Sequence, residues 1–188
     1  DRKKLNIKGL IARAKGNFLE SKKAFDDAIY IQPDHADARF NRGTLRLLLG
    51  DLPAAWDDFE WRWRDRPPLG APSGIPKWEG EDISGKTILI LGEQGFGDII
   101  QFIRFAHRLK ELGARVIVQC RHPLHRLIGS VSGVYKVVDF DEEVFANTWI
   151  PIMSLAHLFG STSQNIPLAQ GYFGPKLLKK TEIRFITN

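Results

Sequence analysis

A 34-residue period governs the first third of the chain. Gly9 and Gly43, Gly16 and Gly50, Phe25 and Phe59, and Pro33 and Pro67 are four identical pairs, each 34 positions apart. A repeat of that length, with glycine in a first helix, an aromatic in a second and a closing proline, constrains the segment to paired helices. Leu5, Gly9 and Ala12 share one face of the first helix, and Gly9 admits the close approach of its partner. Ala24, Phe25, Ala28 and Ile29 form the stripe that packs back. Pro33 ends the second helix, because it lacks an N–H and disfavours helical geometry in the residue before it. Asp37 and Ala38 open the next pair, and Gly50 with Asp51 supplies its turn.

This pattern resembles the tetratricopeptide repeat over about residues 2–67. Arg39 and Arg62 depart from it, since that repeat favours apolar or small residues at those places. Each such unit buries its apolar face against a neighbour, so two units call for a cover at both ends. The reading expects upstream repeats to be absent from this chain and the downstream end to pack on the next domain. Trp56, Phe59 and Trp63 fall on one helical face. Trp61 does not, and is expected at the boundary with the following domain rather than in base stacking. In related repeat-bearing sugar transferases, asparagines hold a peptide backbone. That resemblance marks Asn41, with Asn6 and Arg13 on the same face, as peptide-binding candidates.

Composition narrows the function classes. Of 188 residues, 27 are basic and 22 acidic, giving a net charge of +5 with the signs interspersed, which reads as a solvated surface and not a nucleic-acid or membrane footprint. No apolar run reaches the length of a membrane span. The single cysteine, Cys120, cannot form an internal disulfide and reads as a small buried side chain, so the expected compartment is the cytoplasm. Residues 67–86 are punctuated by proline and glycine and read as a linker, pinned to a domain surface by Trp78 and Ile83.

From residue 87 the pattern becomes α/β. Strands are expected at 87–91, 115–120, 135–140 and 148–151, with helices at 98–112, 123–128 and 153–159. Together they make a Rossmann-like half-domain whose ligand edge lies at the carboxyl ends of the strands. Between the first strand and its helix lies Gly92-Glu93-Gln94-Gly95-Phe96-Gly97-Asp98. Glycines there let a bound group approach the backbone, or only permit positive backbone dihedrals. Asp98 can act as a base or simply cap its helix.

The loop lacks the Gly-Lys-Ser/Thr of a triphosphate site. Its glycine order also differs from G-x-G-x-x-G, and the second strand ends in Cys120-Arg121 where a dinucleotide site carries an acid; Arg121 leaves an NADP phosphate open as an alternative. His122 and His125 lack a third ligand, so no metal is expected. Ser154 has no triad partner.

Glu93-Gln94-Gly95-Phe96-Gly97-Asp98 with Gln101-Phe102, then Pro151 to Leu155, Phe159-Gly160 and Ile166-Pro167, resemble bacterial proteins that join tetratricopeptide repeats to a heptosyltransferase-like domain. The likeness extends over about residues 2–173, with Ala156 standing where those proteins often carry proline. The resemblance implies a GT-B fold: two Rossmann-like lobes, the acceptor near the first and a nucleotide sugar mainly in the second. It implies Asp98 as general base, with Gln94, Gly95, Phe96, Gly97 and Ser154 at the substrate.

The expected organisation is therefore all-α tetratricopeptide repeats at 1–66, a linker at 67–86, a Rossmann-like α/β half-domain at 87–175, and a tail or start of a second domain at 176–188. No cofactor is expected. Partners are a protein or peptide at the repeats, and a nucleotide sugar only once a second lobe is present. As read, the 188-residue chain is a fragment silent in transfer. The alternative is a non-enzymatic peptide-binding module with an α/β scaffold.

Overall fold

A computed structural model describes residues 1–65, 67–169 and 171–174; the expected second-domain start at 176–188 lies outside them. The chain divides into two compact units, Asp1–Ala71 with Ser154–Ile166, and Pro72–Met153 with the segment from Pro167.

The first unit begins with α1, Arg2–Ala14, whose first turn is capped by the Asp1 carboxylate accepting from the Lys3 N–H at 3.1 Å. After a turn at Gly16 comes α2, Phe18–Ile31, then α3, Ala36–Leu49, and α4, Leu52–Phe59. Gly50 takes the left-handed conformation at φ 80° that ends α3. Gly9 touches the Phe25 ring so closely that an added Cβ would lie 2.4 Å from it. At the position 34 residues on, a Cβ at Gly43 would meet the Phe59 backbone nitrogen at 2.7 Å. Both helix pairs thus use glycine to bring their axes together. Phe25 is wholly buried. Its truncation to alanine should cost about 3–5 kcal/mol in denaturant unfolding, whereas a loss below about 1 kcal/mol would remove it as the anchor of the pair.

Polar groups tie α2 to α3. Arg42 reaches Asp26 at 2.7 Å. Burial pushes the Asp26 carboxyl up, but hydrogen bonds from Lys22 and Arg42, with their charges, outweigh it and hold it below its ordinary 3.8. A depressed carboxyl stabilises the fold above its unfolded value and loses that contribution as pH falls through the folded one. The stability advantage of the wild type over Asp26→Asn should therefore be full above pH 3.8 and shrink below it in urea titrations.

Two expectations change in this unit. The α4 helix tightens into a 3₁₀ turn at Glu60–Trp63, so Trp63 leaves the α-helical face on which it was counted. The Arg39 and Arg64 guanidinium groups lie 4.5 and 5.3 Å from the Trp61 ring. In addition α8, Ser154–Leu158, read from sequence as part of the α/β domain, belongs with the helical unit. It packs on α4, and the Trp56 indole N–H donates to the Ser161 carbonyl at 2.8 Å.

The second unit is a four-stranded parallel sheet in the order β3-β2-β1-β4. Its strands are β1 (Thr87–Leu91), β2 (Arg115–Gln119), β3 (Val134–Val138) and β4 (Thr148–Pro151). Leu89 stands opposite Ile117 on one side and Trp149 on the other, within a run buried on both faces. Between β1 and β2 lie α5, Phe96–Phe102, and α6, Ala106–Glu111, separated by a 3₁₀ turn at Ile103–Phe105. The continuous helix expected at 98–112 therefore starts two residues earlier and is broken in the middle. Phe102, Ile103, Phe105 and Ala106 are all buried there, a spread wider than one α-helical stripe supplies. The helix α7, His125–Ile128, precedes β3.

In the segment before β1, Trp78 and Ile83 are buried. It also covers an edge: Lys77 bridges Trp149 in parallel, and the Trp78 N–H donates to the Trp149 carbonyl at 2.8 Å. The outer side of β4 is thereby protected from pairing with another chain. No helix of the described residues is long and apolar enough to cross a membrane.

Candidate functional site

The strand order fixes where a ligand edge can be. From β1 the chain moves through β2 to β3 on one side, while β4 returns to the other side of β1. The reversal lies between β1 and β4, and in open α/β sheets such a switch point opens a crevice beyond the carboxyl ends of the strands. The loop Gly92 to Asp98 leaves β1 at that point.

Its residues have separate tasks. A Cβ at Gly92 would lie 2.8 Å from the Gln119 carbonyl oxygen, which already accepts the Gly92 N–H at 2.8 Å; only glycine fits. Glu93 is buried, and its carboxylate accepts the Met153 N–H at 2.9 Å, fastening the loop to the segment after β4. Gln94 carries the positive φ of the loop, 60°, on a side chain that is not glycine. This corrects the alternative that Gly95 and Gly97 serve positive dihedrals. Neither has one, and a Cβ at Gly97 would meet nothing within 4 Å. Open space lies over Gly97, and Phe96 beside it is 42% exposed.

Asp98 sits at the third position of α5 and accepts the Gly95 N–H through Oδ2 at 3.0 Å. Its capping role is thus present, while Oδ1 has no protein partner among the described residues.

Ser154, expected at the substrate, is buried in the helical unit. Its hydroxyl lies 2.8 Å from Glu60 and accepts from Arg62 at 2.9 Å. The hydroxyl thus holds α8 to the 3₁₀ turn after α4. Among the peptide candidates, Asn41 donates to Asn6 at 3.0 Å, joining α3 to α1, and Arg13 has a buried Nη1 without a hydrogen-bond partner.

Gln119 escaped the sequence reading. It ends β2 beside the glycine loop, is 5% exposed, donates to the Asp139 carbonyl at 3.2 Å, and leaves its Oε1 buried without a partner. A polar residue closing the apolar run of β2 was the available signal. Next to it, His125 Nε2 lies 2.9 Å from the Cys120 carbonyl and 3.7 Å from Asp139. No group of three or more metal-ligating side chains occurs among the described residues. Burial, with the Asp139 charge added, pushes the Cys120 thiol up to about 12. Cys120 should therefore resist iodoacetamide at pH 8 in the native state and react promptly in urea, followed by mass spectrometry. Fast native labelling would contradict its burial.

Fold and site together define a protein of paired helical repeats followed by an α/β domain with a glycine loop at the sheet's switch point. No family model matches the chain. A 73-residue stretch is 37% identical to Protein FlbA of Caulobacter vibrioides, covering 37% of this chain and 12% of that protein. The chain thus spans a small part of that relative's length. Among solved structures, an O-GlcNAc transferase mutant of Thermobaculum terrenum aligns with a TM-score of 0.34 and 12% identity, over 65% of this chain and 31% of that one.

Proposed function

We propose that the α/β unit is the acceptor-side lobe of a GT-B-type, heptosyltransferase-like glycosyltransferase, and that the helix pairs are tetratricopeptide repeats that hold a protein partner. The observation that carries the reading is the open space above Gly97 at the switch-point loop. Neither dihedral strain nor internal packing accounts for a glycine there. Exposed Phe96 offers a flat apolar ring to the C–H face of a sugar, and Asp98 Oδ1 stands ready to take a proton from an acceptor hydroxyl as its oxygen bonds the anomeric carbon and the carbon–phosphate oxygen bond breaks, releasing the nucleotide. The Gly95 N–H bond aims that carboxylate.

GT-B chemistry also needs a second lobe for the nucleotide sugar. The described α/β unit has one four-stranded sheet, so the 188-residue chain alone is proposed to be silent in transfer. The test is incubation with radiolabelled nucleotide sugars and cell extract. A longer polypeptide carrying both lobes should label an acceptor, and the 188-residue chain should not. Transfer by the short chain would overturn the half-cleft assignment. Absence of transfer by the longer one, with peptide binding retained, would favour the non-enzymatic module.

A further inference from the structure

The amino-terminal edge of the sheet, opposite the glycine loop, carries a concavity of its own. At that edge β2 begins at Arg115 and β3 at Val134. Two adjoining cavities of about 440 and 600 Å³ open there and share Lys110, Gly133 and Val134. Gly133, at φ 107°, sits so close to α6 that an added Cβ would lie 2.6 Å from the Ala106 carbonyl oxygen. The turn before β3 is thereby held against the helix that carries Lys110.

The walls offer donors without a counter-charge. Lys110 and Arg115 are exposed, and neither has an ion-pair partner among the described residues; the Arg115 guanidinium lies 4.9 Å from the Tyr135 ring. The Val131 carbonyl accepts the Val134 N–H at 3.2 Å. Inside that turn, the N–H groups of Ser132 and Gly133 have no partner among the described residues. No aspartate or glutamate lines either cavity among those residues. Glu111, next to Lys110 in sequence, lies 3.3 Å from His107 Nε2 and 3.7 Å from Arg108.

We propose that this concavity binds a phosphate monoester of a small molecule. Two cations, two free backbone N–H groups and the Ser132 hydroxyl line it, and a phosphoryl group brings three terminal oxygens and up to two negative charges to meet them. The Arg115 fork can hold two of those oxygens at once, with Lys110 as a point charge beside it. Successive free N–H groups in a turn are an anion-binding device in their own right. The site shares no residue with the glycine loop and stands apart from the sugar-transfer reading.

The test titrates glycerol 3-phosphate into the ¹⁵N-labelled chain at constant ionic strength, with glycerol as the neutral control. Saturable shifts are expected at residues 110–116 and 131–135, and none from glycerol. Arg115→Gln and Lys110→Gln should each weaken binding about tenfold, a change of about 1.4 kcal/mol, while Lys110→Arg should retain it. Both side chains are exposed, so these exchanges leave the fold intact. No saturation by about 10 mM, shifts confined to residues 92–98, or undiminished binding in the double glutamine variant would overturn the site. A response to phosphatidic acid vesicles with none to the soluble ester would overturn the small-molecule occupant.

Discussion

Exchanging Asp98 for asparagine, in a polypeptide that also carries the donor lobe, should lower kcat for sugar transfer about 10²–10⁴-fold with little change in stability. The geometry separates the two tasks of this residue. Asparagine keeps a carbonyl oxygen able to accept the Gly95 N–H, now made to Oδ2 at 3.0 Å, so the start of α5 is preserved. It cannot accept the acceptor's proton. Alanine removes both tasks and should add a stability loss of about 1 kcal/mol. Unchanged kcat in the asparagine variant, together with a destabilised alanine variant, would reduce Asp98 to a cap.

The second large effect is in the helical unit. Asp58→Ala should cost about 3–5 kcal/mol, because the half-buried Arg39, Arg42 and Arg46 would lose the buried carboxylate they share. Asp58 is 2% exposed, receives Arg42 at 2.6 and 2.9 Å and Arg46 at 2.6 Å, and has Arg39 3.6 Å away. In the first helix pair the places 34 residues earlier are Ala24, Leu5 and Ala12. The second pair thus replaces a small apolar contact by an ion cluster, and the exchange is concerted. Burial alone would lower the Arg42 pKa, yet its bonds to Asp58 and Asp26 raise it above its ordinary value. Restoring the apolar set, with Arg39→Leu, Arg46→Ala and Asp58→Ala together, should recover most of the loss, while Arg42 keeps Asp26. Chemical denaturation of the single and triple variants measures this. A single-variant loss below about 1 kcal/mol would mean that solvent already screens the cluster.

That concerted exchange marks how far sequence reasoning reached. Arg39 was visible as a departure from the repeat, but its partner Asp58 was not, because the pairing depends on which helix faces meet. Strands β1 and β4 were legible to the residue, since Thr87–Leu91 and Thr148–Pro151 are runs buried in a parallel sheet and bounded by turns. The membership of α8 was not legible: Trp56 and Ser161, whose hydrogen bond helps hold it, are 105 positions apart, and no local pattern encodes that contact. The same long-range packing gives Ser154 its partners Glu60 and Arg62, 94 and 92 positions away. Within the glycine loop, spacing marked the strand-to-helix turn but assigned the backbone strain to the wrong residue. Gln94 holds the positive φ, which leaves Gly97 explained by the space above it.

The central claim is that this loop, at the switch point of the sheet, is the edge where substrate sits. Hydrogen–deuterium exchange of the two-lobed polypeptide, with and without nucleotide sugar and acceptor, tests it most directly. New protection is expected at residues 92–98 and at Gln119. Protection confined to α1 and α3, with the loop unchanged, would contradict it.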